Sequence, residues 1–366
     1  MPRLLTPVAM SLIATVTILP PLAAQTVQGR LLARPSDEPV AGALVTLVDS
    51  AGSEVARAAT TPSGGFALEA PRVGRYQVVV RQIGQQIWHS APFALAVGAD
   101  YPLILRVESR PYVLPPITVA ARRSRCDVSL DDDDLLGRLL DAASTALGIA
   151  EESADAGIYG FSTDTYLKRL SVDLAVVEST GTDLPGMARW PIESADPDSL
   201  RTWGFVRTPP GTDAGPVYYG PDARVLFSDW FLDSHCFEVE SAGENLVEVR
   251  FEPERRGKRV DLEGRLVIDR ESLELRTLAF EYVGLPRWVP RDKAGGEVEL
   301  RRLGAGAWVP TTWHLRAPVP GRSTRTSRIT MRGWVETGGR VTAVRKAKGE
   351  VDALLTEELI RRERRY

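Results

Sequence analysis

Between Thr26 and Val107 the chain repeats one short pattern, and that pattern limits the fold more than any other stretch does. Runs of four to eight residues rich in Val, Leu, Thr and Tyr are separated by Gly, Pro, Ser or Asp at intervals of about ten residues. Val45, Leu47 and Asp49 fall on one side of such a run and Thr46 and Val48 on the other. Tyr76, Val78 and Val80 alternate with Gln77, Val79 and Arg81 in the same way. Side chains on an extended strand point to opposite faces in turn, so each run offers one face for burial. Gly42, Gly52, Gly64, Gly65 and Gly74 stand where the chain has to reverse, the place where a residue without a Cβ is favoured. The expectation is a small antiparallel β-sandwich over residues 25–108.

The order of these residues carries a resemblance. Gly29-Arg30-Leu31, then Pro39-Val40-Ala41-Gly42-Ala43-Leu44-Val45-Thr46-Leu47, then Ala59-Thr60-Thr61 leading through Gly65-Phe66-Ala67-Leu68, and Gly74-Arg75-Tyr76-Gln77-Val78 resemble the carboxypeptidase regulatory-like domain, a transthyretin-like sandwich. The resemblance implies a fold and an accessory role beside bacterial envelope domains. It implies no reaction, because one accessory fold hosts many functions.

Ahead of the sandwich, Met1–Ala24 reads as an export signal. Arg3 supplies the positive start, Val8–Leu19 the apolar stretch, and Leu22-Ala23-Ala24 the small-residue cleavage site. Roughly twelve apolar residues ending at Pro20-Pro21 are too few to span a bilayer. No Cys follows Ala24, which argues against a bacterial lipid anchor. The expected location is the periplasm, free or associated with the outer membrane, with no transmembrane segment once the signal is removed.

Residues 109–125 read as a linker or a last edge strand. Pro111, Pro115 and Pro116 remove backbone donors, and Arg122-Arg123-Ser124-Arg125 adds charge. Outer-membrane receptors that begin with a similar module continue into a large barrel. The remaining residues, 126–366, are too few for a barrel of about 22 strands with its loops.

Two cysteines remain, Cys126 and Cys236. In an exported chain a disulfide between them is the leading reading. Two buried free thiols, and a catalytic thiol beside His235, are the competing ones. After Cys126, Asp131–Asp134 precede Leu135, Leu136, Leu139, Leu140, Ala143 and Leu147, an apolar face at helical spacing with acidic residues at its start. The aspartates lack the spaced ligands and loop Gly of a calcium hand, so a solvated helix start is the plainer reading.

From Gly157 the pattern turns to strands. Tyr159–Leu167 and Val172–Val177 suggest a first hairpin, and short helices are expected at Ser194–Trp203 and Pro221–Leu232. Strands then follow at 236–240, 246–252, 260–268, 273–282, 296–303, 308–316, 327–335 and 340–346, the last two joined by a turn at Gly338-Gly339. The fold class is therefore mainly β, a sandwich followed by an α+β domain, residues 126–366, with a large curved antiparallel sheet. Strand order and the hairpin Ile268-Asp269-Arg270-Glu271-Ser272-Leu273-Glu274-Leu275 are similar to the half-barrels of periplasmic lipoprotein carriers. That resemblance implies an apolar cavity lined by Trp288, Trp308, Trp313, Trp334, Phe280 and Tyr282, with Phe251 beside them. Ordinary core packing is the competing reading of the same aromatics.

Residues that carry chemistry are scattered. His89, His235 and His314 form no zinc-binding pair, and neither a nucleophile elbow nor a phosphate-cradling loop is present. The expectation is a non-enzymatic binding or scaffolding protein of the cell envelope, with no catalytic residue, cofactor or metal. With 45 basic against 48 acidic residues the chain does not advertise nucleic acid as a partner. An envelope protein, a lipid held in the second domain, or a glycan held on Trp88 and Tyr101 of the sandwich are the partners that fit. A final amphipathic helix is expected at Asp352–Tyr366, docked on the sheet or resting on anionic lipid.

Overall fold

In a computed structural model of the chain, the described residues are 25–98, 100–112, 114, 126, 128, 134–186, 190–209, 215–243, 245–290, 292–302, 308–322 and 328–346. The expected export signal, most of the linker, Asp131–Asp133 and the C-terminal helix lie outside them.

The chain is mainly β. Eight strands open it: β1 (Gln25–Arg34), β2 (Leu44–Asp49), β3 (Glu54–Ala59), β4 (Gly65–Ala70), β5 (Gly74–Arg81), β6 (Trp88–His89), β7 (Phe93–Leu95) and β8 (Asp100–Glu108). They form two sheets, ordered β4-β1-β8 and β3-β2-β5-β6, with β7 also paired to β5. Val27, Leu31, Val45, Leu47, Val78 and Val80 meet between the sheets, each at most 1% exposed. The alternation of the sequence thus sends one face of each strand inward. One pairing departs from the antiparallel expectation: β1 and β8 run parallel, from Thr26 opposite Asp100 to Arg34 opposite Glu108. A parallel pair needs a long crossover, and here the whole intervening sandwich supplies it.

Strand β2 is buried on both faces. Leu44 and Thr46 point away from the sandwich core, yet they are only 7% and 1% exposed. The cover is helix α1 (Leu135–Asp155), whose N-terminus is capped by Asp134, its Oδ1 accepting the Gly137 N–H at 2.9 Å. The apolar spacing anticipates one buried stripe. Instead Leu139, Leu140, Ala143, Ala146, Leu147 and Ile149 are all fully buried, because α1 is packed from two sides. Gly148 faces the sandwich closely: a Cβ there would stand 3.2 Å from a Leu44 methyl.

The second side is a nine-stranded antiparallel sheet. After α1 come β9 (Tyr159–Leu170), β10 (Val176–Gly186), α2 (Pro197–Trp203), a small pair β11 (Val206–Arg207) and β12 (Val217–Tyr218), α3 (Ala223–Leu226) and α4 (Asp229–Ser234). The rest is strands: β13 (His235–Ser241), β14 (Leu246–Pro253), β15 (Asp261–Asp269), β16 (Leu275–Val283), β17 (Gly295–Arg302), β18 (Trp308–Arg322) and β19 (Ile329–Lys346). The order is β10-β9-β19-β18-β17-β16-β15-β14-β13, a meander whose last strand returns to pair with the first hairpin.

Three expected boundaries are corrected. Gly338-Gly339 is no turn, and the two strands expected around it are one, β19. A Cβ on Gly338 would lie 2.5 Å from the Tyr166 hydroxyl, and one on Gly339 the same distance from the Trp313 ring, so the glycines make room for those rings. The single helix expected over Pro221–Leu232 is two, because Ser228 interrupts it and caps α4 by accepting the Phe231 N–H. The second strand of the first hairpin begins at Val176 and not at Val172, which belongs to the turn.

Candidate functional site

Alternation along the strands divides the nine-stranded sheet into two faces with different chemistry. Val249, Leu266, Leu278, Phe280 and Val298 point toward α1 and share one core with it. The residues between them point the opposite way and are mostly charged. Register places one residue from every strand in a single line across that polar face: Glu238, Arg250, Arg265, Ala279, Glu297, His314, Gly338, Tyr166 and Gly181. Ala279, Gly338 and Gly181 have little or no side chain, so the line is low at those points and stands up between them.

Two hollows follow the line. The first, of about 690 Å³, lies over β13–β18 and is lined by charged side chains including Arg250, Arg265, Glu281 and Arg316. The second, of about 660 Å³, lies over β17, β18, β19, β9 and β10, around Tyr166, Thr312, Gly339 and Arg340. Glu297 and His314 line both. The hollows are therefore adjacent parts of one trough, with these two cross-strand neighbours at the boundary between them.

The next line of residues holds its charges in fixed pairs. Arg316 donates to Glu336 through Nε and Nη2, at 2.9 and 2.6 Å, and Tyr166 donates its hydroxyl to the other carboxylate oxygen at 3.3 Å. Lys168 stands 3.7 Å from Glu336 and 4.1 Å from the centre of the Tyr166 ring. Burial would raise the Glu336 carboxyl, but the Arg316 hydrogen bonds and charge, with help from His314 and Lys168, bring it below its ordinary value. Burial, followed by the charge of Glu336, pushes the Tyr166 phenol up to about 12. On the far side of the line Arg340 pairs with Asp164 at 3.2 Å.

Glu297 and His314 differ from these neighbours. Both are partly buried, and among the described residues neither makes a hydrogen bond or an ion pair. A side chain in that condition keeps its donors and acceptors for something outside the chain.

At the other end of the trough the carboxylates of Glu263, Glu281 and Asp292 come within 4.8 Å of one another, among the described residues the group that could hold a cation. Glu263 is also held by Arg256 at 3.1 Å. Burial, then Asp292 and Glu263, raise the Glu281 carboxyl. Exposed acidic groups of this kind commonly meet without an ion.

The residues expected from the sequence are dispersed. Trp308 and Trp334 are 1% exposed, Phe280 2% and Tyr282 6%, all in the core beneath α1. The Trp334 indole donates to the Val172 carbonyl and the Tyr282 hydroxyl to the Tyr219 carbonyl. Trp288 packs half-buried at the edge of that core. Of the six, Trp313 lies where β18 meets the second hollow, with its ring turned onto Gly339, and Phe280 also borders the first hollow. The three imidazoles stand on β6, β13 and β18. His235 is fully buried, hydrogen-bonded to the Phe231 and Leu262 carbonyls and stacked on Phe231, which makes it part of the α4–β13 corner. Cys236, next to it, forms a disulfide with Cys126. On the sandwich, Tyr101 stacks against Phe93 with ring centres 4.8 Å apart, so one of its faces is occupied. Sequence reading noticed His314 and passed over Glu297, one carboxylate among many; only the register across β17 and β18 singles it out.

Comparison with known proteins bears on the first part of the chain. Residues 26–108 match the family model of the carboxypeptidase regulatory-like domain. No curated protein matches the chain. Among solved structures, the 5-hydroxyisourate hydrolase of Klebsiella pneumoniae is 19% identical with a TM-score of 0.20, covering 23% of this chain and 90% of that one. The TIE protein of Bacillus anthracis is 15% identical with a TM-score of 0.20, covering 45% of this chain and 25% of that one. A DUF3823 family protein from Bacteroides ovatus is 8% identical with a TM-score of 0.19, covering 67% and 96%.

Proposed function

We propose that the chain is a non-enzymatic binding protein exported to the cell envelope, and that its ligand lies in the trough across the polar face of the nine-stranded sheet. One observation carries this reading. At the boundary of the two hollows, Glu297 and His314 are partly buried, and among the described residues their side chains are bound to no other group. Donors and acceptors that no neighbour uses, set in a recess of the surface, are open to a ligand that supplies their partners.

The sandwich is a mount in this reading. Helix α1, held between β2 and the large sheet, fixes the sheet's geometry from behind. The export signal at Met1–Ala24 and the disulfide between Cys126 and Cys236 both fit an oxidising compartment outside the cytoplasm. A lipid carrier needs a void on the α1 side, where Trp308, Trp334, Phe280 and Tyr282 are packed core.

Hydrogen–deuterium exchange of the full chain, with and without a soluble extract of bacterial envelope, tests the assignment. Slowed exchange confined to β9, β17, β18 and β19 is expected. Protection confined to β1–β8 would move the site to the sandwich, and no protection anywhere would overturn the binding role.

A further inference from the structure

The trough has a length, a floor and a charge pattern, and together they select a class of ligand. Nine strands at their usual spacing of about 4.8 Å make the line from Glu238 to Gly181 roughly 35–40 Å long. A ligand that fills it is an extended chain lying across the strands. An extended peptide satisfies its backbone along a sheet edge and not across a face, so the direction of the trough disfavours one. The two hollows together are lined by nine carboxylates and six cationic side chains. That balance repels a polyanion, and nucleic acid in particular requires a continuous basic groove. A polycation in turn meets Arg250, Arg265, Arg316 and Arg340 along its path.

What the trough offers throughout is charged hydrogen-bonding groups, many already held by each other, facing a neutral partner. Hydrogen bonds from charged groups to neutral hydroxyls are among the stronger ones available to a protein. The floor adds the ring of Tyr166, one face of which carries the Lys168 ammonium 4.1 Å from its centre. Gly338 and Gly181 flank Tyr166, whose hydroxyl end lies against Gly338 and is tied to Glu336. Beside that ring stand a carboxyl group, Glu297, and an imidazole, His314, which between them offer acceptors and a donor, so the pair can serve adjacent hydroxyls.

We infer that the trough binds an uncharged, linear polysaccharide across the strands, with the hollow formed by Tyr166, His314 and Glu297 as its central sugar subsite. This rests on the reading of the trough as the ligand surface.

Calorimetric titration of the full chain tests it, with uncharged linear glucans, mannans and xylans from disaccharide to octasaccharide, at low and at high salt, and with oligolysine as the charged competitor. Affinity for one glycan series should rise with chain length and hold nearly constant with salt. Glu297→Ala and His314→Ala should each weaken it about ten-fold, and Tyr166→Ala at least as much, with melting temperatures of the first two close to that of the parent. Glycan binding untouched by all three substitutions would place the sugar elsewhere, on Trp88 for example, and overturn the inference. So would binding of oligolysine, fading with salt, in place of glycans. If no glycan binds while envelope extract still protects β9, β17, β18 and β19 from exchange, the ligand class is wrong and the trough stands. If neither occurs, both fall.

Discussion

Glu151 is the residue on which the junction between sandwich and sheet is most sensitive to pH. Its carboxylate accepts the Ala223 N–H at 3.1 Å and faces Arg57 of β3 at 3.4 Å, with Glu152 beside it bonded to the same guanidinium at 2.6 Å. Burial, and then the charge of Asp222, push Glu151 up from 4.5 to about 7. The folded state thus holds this proton more tightly than the unfolded chain does. The resulting stabilisation is complete below about pH 4.5 and is lost as pH rises through about 7, a span worth roughly 3 kcal/mol. Glu152, also raised by burial, adds an effect of the same sign. Melting temperature should therefore fall between pH 5 and pH 8, and Glu151→Gln should flatten much of that fall. Equal slopes for the two proteins would refute the assignment.

Among the elements, β19 depends most on what its neighbours leave room for. Gly339→Val would drive a side chain into the Trp313 ring and the Asp164 carbonyl, and urea denaturation should show a loss of about 3 kcal/mol or more. The edge strand β13 is held differently, by the disulfide to Cys126 across a separation of 110 residues. Replacing both cysteines with serine should cost about 3–5 kcal/mol in the same assay. The sequence made much of this legible: period-two alternation with Gly and Pro punctuation is a local signal, and it located the strands of the sandwich and most of those after Cys236. It failed where a tertiary neighbour decides. Gly338-Gly339 has the composition of a turn, and only the rings of Tyr166 and Trp313 show that it is a thin place in a strand. The trough was not legible either, since Tyr166, Glu297 and His314 become neighbours through strand pairing alone. Each taken singly is an ordinary strand residue.

Across the whole molecule, the apolar interior does not stop at the end of the sandwich. Leu44 and Ile83 belong to the same cluster as α1 and the large sheet, and Ala59 at the end of β3 packs with Phe161, Val341 and Val344. Arg81 adds a contact to Asp141 of α1 at 3.3 Å. A shared core couples the melting of its parts. Scanning calorimetry should record one transition for the parent, and Gly148→Leu, which pushes α1 away from Leu44, should resolve it into two. Two transitions in the parent would show that the parts fold separately despite this packing. The order of strands has a further consequence, for synthesis. β19 lies between β9 and β18, so the piece that unites the first hairpin with the meander is synthesised after every other strand of the sheet. Until Ile329–Lys346 emerges, β9 and β10 lack their partner in the large sheet, and a chain terminated just before Ile329 would carry a hairpin unpaired to that sheet that a protease should remove first.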